Sequence, residues 1–166
     1  MQPVAPQRMP AERQLQGFGA YEEALDELLA NCERAVRVFD RAIGASFNSP
    51  HRYELLRRVL LARRSNRIRI ALHETSNIVR DCPRLMMLLR QFSSQLSIHQ
   101  TLPAARGAQD AFVIGDDSRF VRRFHHEDPR GVAGVGNLAD TRFLSKRFEE
   151  IWEASAPALT ATVLGL

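Results

Sequence analysis

His125, His126, Glu127 and Asp128 stand together, four side chains able to ligate a metal or move a proton. Imidazole and carboxylate ligands suit zinc or manganese. Neighbouring side chains on an extended loop point to opposite sides, however, so one ion rarely takes both histidines. Real sites also need converging ligands and supporting partners. An exposed polar loop is the preferred reading, and no metal or other cofactor is assigned. His73 and Glu74 follow Ile68, Ile70 and Leu72, which alternate as in a strand. Ligands of open α/β sheets bind beyond the carboxyl ends of strands, which makes His73 and Glu74 candidate ligand-binding residues, with Arg119, His125 and His126. The competing view is a histidine merely satisfied where the chain surfaces. His99 alternates with Leu96 and Ile98 and reads as a sheet-face residue.

Arg57, Arg58, Arg63, Arg64, Arg67 and Arg69 form a basic concentration suited to phosphates. Interleaved exposed aromatics, which single-strand binders use for stacking, are not evident there, so a solvated helix face is preferred. Gly131 to Gly136 contains GxxGxG, but without the preceding strand of a dinucleotide fingerprint it reads as a flexible loop. Cys32 and Cys82 match neither a disulfide framework nor a metal spacing, and suggest free thiols in a reducing cytoplasm.

The elements that must position these residues follow from periodicity. Residues 1 to 18, with three prolines before Ala11, read as a flexible tail, and 19–166 as one α/β domain. Tyr21, Leu25, Leu28, Leu29 and Cys32 predict a helix over about 20–33, with an acidic first turn suited to the helix dipole. Residues 35–39 predict a strand. Ser49 and Pro50 predict the start of a helix that ends near Asn66, with Leu55, Leu56, Val59 and Leu60 buried. After the strand at 68–72, Asp81 is expected to cap a helix carrying Leu85, Leu88, Leu89 and Phe92. Strands follow at 96–99 and 111–114, then a turn at 115–118 and an antiparallel return over 119–124. Residues 125–137 read as irregular. Asp140 or Thr141 should cap a last helix, ended by Pro157, with an edge strand over 159–164. Strands alternating with helices predict a mixed, mostly parallel sheet with helices on both faces.

No apolar run approaches the ~20 residues of a membrane span, and the N-terminus lacks an apolar signal region, so a cytoplasmic protein with no membrane partner is expected. Net charge is +4 and one lysine, Lys146, stands among 23 Lys+Arg. The high pI, near 9.8, admits nucleic acid as a partner, although solvated arginines explain the charge equally simply.

From Val36 to Trp152 the chain resembles one half of a phospholipase D superfamily protein. A strand, a helix ending in a basic stretch, and then Arg67-Ile68-Arg69-Ile70-Ala71-Leu72-His73-Glu74 are similar to that family's early elements. The family continues with H-x-K-x(4)-D, then G-S-x-N before a helix. Residues 109–116 occupy the first position, and Gly134-Val135-Gly136-Asn137 the second. Asp116 and Asn137 match. Gln109 stands for the histidine, Ala111 for the lysine and Val135 for the serine, and 17 residues separate Asp116 from Gly134, more than the family uses. Small bacterial proteins with degenerate phospholipase D-like domains are similar in this respect. Gln109, Ala111, Asp116 and Asn137 are therefore vestigial motif positions.

In the family, as the resemblance implies, the histidine attacks phosphorus and the lysine holds phosphate oxygens. A glutamine amide is no nucleophile, and alanine stabilises no oxyanion. The expectation is a non-catalytic binding module for a partner protein or an anionic ligand. Because family members set two motif halves face to face, a homodimer is expected. Two rivals stand beside it: a nucleic-acid binder using surface arginines, and a phosphodiesterase rebuilt around His73, His125 or His126 with Asp116.

Overall fold

The computed structural model describes residues 11–136 and 138–160. In chain order these form β1 (Ala11–Leu15), α1 (Phe18–Ala30), β2 (Ala35–Asp40), α2 (Pro50–Ala62), β3 (Arg67–Leu72), α3 (Ile78–Asp81), α4 (Pro83–Gln91), β4 (Leu96–Thr101), β5 (Ala111–Gly115), β6 (Arg119–Arg123), β7 (Gly131–Val135), α5 (Leu138–Glu153) and β8 (Ser155–Leu159). One eight-stranded sheet runs β1-β7-β6-β5-β2-β3-β4-β8.

The expected α/β class and mixed sheet hold, but the sheet is less parallel than anticipated. Only β2–β3 and β3–β4 pair in parallel; the other ladders are antiparallel. Long helical crossovers carry the chain between β2, β3 and β4, whereas β5, β6 and β7 are joined by short connections that permit only reversal. Alternation along the strands feeds two cores. Val36, Val38, Ile68, Ile70, Leu96 and Ile98 pack under α1, α2 and α4. Phe39, Ala71, Phe112, Ile114 and Phe120 meet Leu144, Phe148 and Ile151 of α5 on the other face.

Local signals explain the boundaries. Ser49 Oγ accepts the backbone N–H of Arg52 with Pro50 at the first turn, the predicted cap. The helix then stops at Ala62, earlier than expected, where Asn66 and Gln95 side-chain amides donate to the carbonyls of Val59, Leu60 and Arg63. α1 starts at Phe18, so Glu22 and Glu23 fall in the second turn and the first turn carries no acid. Asp81 ends α3 rather than capping α4; Cys82 takes the cap position.

Four further expectations are corrected. Residues 11–15, taken as part of the tail, form an edge strand against β7; residues 1–10 lie outside the described residues. Residues 131–135, taken as irregular, are a strand paired on both sides, between β1 and β6. α5 ends at Glu153 rather than at Pro157, which sits in the edge strand β8, where a missing N–H costs little. Asp140 and Thr141 lie inside α5, not before it. The end of the expected last strand, at 161–164, lies outside the described residues.

Candidate functional site

Parallel pairing of β2, β3 and β4 brings Asp40–Arg41, His73–Glu74 and Gln100–Thr101 out at one end of the sheet. His73 lies 2.6 Å from the Thr101 hydroxyl through Nδ1 and 2.6 Å from the Ala108 carbonyl through Nε2. Both ring nitrogens are engaged, so His73 pins the segment after β4 to the strand ends and leaves no free lone pair. Glu74 accepts from Arg41 at 3.3 and 3.2 Å. Arg41 Nη1 in turn lies 3.1 Å from His126 Nε2. The sequence reading missed Arg41, because only tertiary folding joins it to His126.

Gln109 stands beside this cluster. Its carbonyl accepts the His126 backbone N–H and lies 3.2 Å from His126 Nδ1, while its side-chain amide donates to the Arg106 carbonyl. Ala111 is fully buried and pairs across the ladder with Arg123. The guanidinium of Arg123 reaches Asp40 at 3.3 Å and the His126 carbonyl at 2.7 Å, and lies 4.6 Å from the Tyr21 ring. Burial raises the pKa of Asp40 above the usual carboxylate range, against the opposing pull of Arg123. Burial likewise raises the phenol of Tyr21.

His125 and His126 do not point apart as expected on an extended loop. Their rings stack at 4.4 Å, and His125, His126 and Glu127 offer ligand atoms within 4.8 Å of one another. The hydrogen bonds oppose a metal there. His125 Nδ1 accepts the Glu127 N–H, which places the proton of a neutral ring on Nε2, and His126 Nε2 faces a guanidinium. A metal would have to displace both arrangements.

Asp116 lies at the opposite end of β2. Its carboxylate accepts the backbone N–H groups of Glu33, Arg34 and Ala35 and the Cys32 thiol, closing the connection from α1 into β2. Its φ of 53° is the only positive value among the described non-glycine residues. Burial raises its pKa, but the three N–H donors outweigh this, and the group is held below the ordinary value. At ~3.3 Å per residue, β2 separates Asp116 from the His126 cluster by roughly 16 Å. The histidines and Asp116 are not brought together. Arg119, which opens β6 opposite Gly115 and so lies at the Asp116 end of the sheet, lines an apolar pocket of about 180 Å³ against α1 and β1 and does not join the histidines. Asn137 lies outside the described residues.

The arginines of 57–69 are not simply solvated. Arg58 donates to the carbonyls of Leu29, Ala30 and Cys32 at the end of α1. Arg67 donates to the carbonyls of Arg64 and Asn66, and Arg69 clasps Glu149. Exposed aromatics beside cations occur elsewhere: Arg122 lies 4.9 Å from the ring of Phe124 and 5.8 Å from that of Phe143, both exposed.

Sequence comparison matches residues 19–162 to the family described as "Domain of unknown function (DUF7931)". The chain belongs to this family. No curated protein matches it significantly in sequence. Among solved structures, Nuc from Salmonella typhimurium, a phospholipase D family member, superposes with a TM-score of 0.60 at 10% identity, covering 91% of this chain and 99% of that one. NucT from Helicobacter pylori gives 0.56 at 11%, covering 90% and 99%. TrmBL2, an archaeal chromatin protein with a novel mode of DNA binding, gives 0.61 at 11%, covering 93% of this chain and 56% of its own length. The fold of this family member is therefore phospholipase D-like. No helix among the described residues is long and apolar enough to cross a membrane.

Proposed function

We propose that the domain is a non-catalytic phospholipase D-like module that works by binding an anionic ligand or a partner protein. The observation that carries this reading is the occupancy of the motif positions. Ala111 is buried beneath the sheet ladder, and the cation beside it, Arg123, is held by Asp40 rather than presented to a substrate. The neighbouring imidazoles, His73 and His126, have both nitrogens in contact with protein groups. A nucleophile needs a free lone pair, and phosphoryl transfer needs a cation directed at the reacting group rather than held in a buried pair. Incubation with a bis-aryl phosphodiester, a phospholipid and single-stranded DNA should release no product above the buffer rate. Turnover abolished by His126→Ala or His73→Ala would overturn the proposal in favour of a rebuilt site. As in the family it resembles, the domain is expected to form a homodimer.

A second reading makes the ligand a nucleic acid. It is favoured by exposed Phe143 on α5, flanked in sequence by exposed Arg142 and, one turn on, exposed Lys146, with Phe124 and Arg122 beside it. Stacking aromatics among cations are what single-strand binders use, and the fold is shared with a chromatin protein. Fluorescence anisotropy of labelled oligonucleotides across a salt series tests it. Binding that weakens linearly in log salt and is lost in Phe143→Ala supports it; no binding at low salt removes it.

A further inference from the structure

Arg37 of β2 and Arg69 of β3 are register partners, and Ser97 of β4 continues the same row. Adjacent strands lie about 4.8 Å apart, so two cations project side by side from one sheet face. Like charges directly opposite one another destabilise a sheet unless counter-charge is supplied. Here Glu149 of α5 bridges them, 3.0 Å from Arg69 Nη1 and 3.8 Å from Arg37 Nη1, and Asp117 lies 2.6 Å from Arg37 Nη2. Arg67, two residues earlier on β3, adds a third guanidinium on this face.

These residues open onto a cleft of about 560 Å³ beside α5, which Ser94, Ser97 and Trp152 also line. α5 covers the apolar part of this face, around Phe39 and Phe112, and reaches the arginine row through Ser145 and Glu149, so that the row meets the cleft along its outer side only. The Arg37 side chain is only 10% exposed, yet its Nε is buried without an acceptor. A buried donor left unpaired is costly, and a cleft beside it that admits an acceptor offers a remedy. Both carboxylates are exposed enough to swing aside, at 82% for Asp117 and 45% for Glu149.

Resting on the reading of the domain as a binding module, we propose that this cleft binds a phosphoryl oxyanion, with Arg37, Arg67, Arg69 and Ser97 as donors and Glu149 as the resident counter-ion that the ligand displaces. Each planar guanidinium presents a fork of donors that fits two phosphate oxygens, and charge-assisted bonds of this kind are the strong ones. The site lies at the amino ends of the parallel strands, opposite the His126 cluster, and uses none of the vestigial motif positions.

Trp152 is the only tryptophan and lies 5.4 Å from the Arg69 guanidinium, so its fluorescence reports on the cleft. Inorganic phosphate, titrated into the full chain at constant ionic strength, is read by Trp152 emission and by calorimetry. A saturable signal is expected. Arg67→Ala, an exposed position that leaves the core intact, weakens it about tenfold, the worth of one charge-assisted bond. Glu149→Gln tightens it several-fold, and Arg130→Ala, at the opposite end of the sheet, leaves it unchanged. A 5′-phosphorylated dinucleotide that binds better than an unphosphorylated oligonucleotide assigns the ligand as a terminal phosphate; the reverse order assigns a diester backbone. No saturable binding by either readout, or binding indifferent to both Arg67→Ala and Glu149→Gln, overturns the proposal. Turnover of a phosphodiester would instead defeat the non-catalytic reading and leave this cleft untouched.

Discussion

Arg123 stands directly across the β5–β6 ladder from Ala111, and its guanidinium lies 3.3 Å from the Asp40 carboxylate. The cation is turned to hold β6 against the end of β2. The side chains are 11% and 17% exposed, so the pair is largely removed from solvent.

Breaking a buried pair from one side leaves an uncompensated charge, which costs about 3–5 kcal/mol. Arg123→Gln should therefore lower the unfolding free energy by about 3 kcal/mol in denaturant melts. Asp40→Asn in the Arg123→Gln background should cost less than the sum of the single changes. Strict additivity would mean that the two side chains do not support one another.

Asp116 sets an acid limb. Its folded pKa is depressed, so the folded chain keeps this proton off where the unfolded chain binds it. The stabilisation is present above the ordinary aspartate value of about 3.9 and is lost as pH falls through the folded value. Asn tolerates the positive φ at this position, so Asp116→Asn leaves the backbone unstrained while removing the charge and one of the two acceptor oxygens. Stability at neutral pH should drop by about 1–2 kcal/mol, and the decline on acidification should flatten. An unchanged acid slope would rule Asp116 out as its source.

Both thiols should be silent. Cys32 is fully buried and its thiol is pushed up to about 11, by burial first and then by the neighbouring Asp116. Cys82 is also buried and raised. Thiolate is the reactive form, so neither should react with Ellman's reagent at pH 8 until denaturant unfolds the chain. Rapid labelling of the native protein would expose local opening at the α1–β2 connection or the α3–α4 junction.

The expected homodimer is checked by sedimentation velocity at tens of micromolar. A mass of twice the chain supports it, and a monomer throughout would detach this domain from the face-to-face arrangement of the family it resembles.

The parallel heart of the sheet was readable because β2, β3 and β4 alternate aliphatic residues and are separated by amphipathic helices, the first of them opened by the Ser49 cap. β7 was not. Its glycines look like loop punctuation, yet they answer to packing: a Cβ on Gly131 would lie 2.4 Å from the Arg122 carbonyl, and one on Gly134 would lie 2.2 Å from the Phe120 ring. β1 escaped because Ala11–Leu15 is exposed along four of five positions and borrows its order from the β7 edge. At the site, the strand-end position of His73 and Glu74 was visible in the pattern. Their partners were not: Thr101, Ala108 and Arg41 come from separate segments, and the stacking of His125 on His126 depends on a turn that composition does not specify.

The two outer strands also limit how copies of this domain can associate. β8 carries Pro157, which has no N–H to offer, and β1 is five residues long with Glu12 and Arg13 in its middle. Neither margin is a good template for a further strand. Association by continuing the sheet from one copy into the next, the route to open-ended fibres, is discouraged at both sides. What remains for self-association are the helical faces and the two ends of the strands, surfaces on which a two-fold contact closes on itself and growth stops.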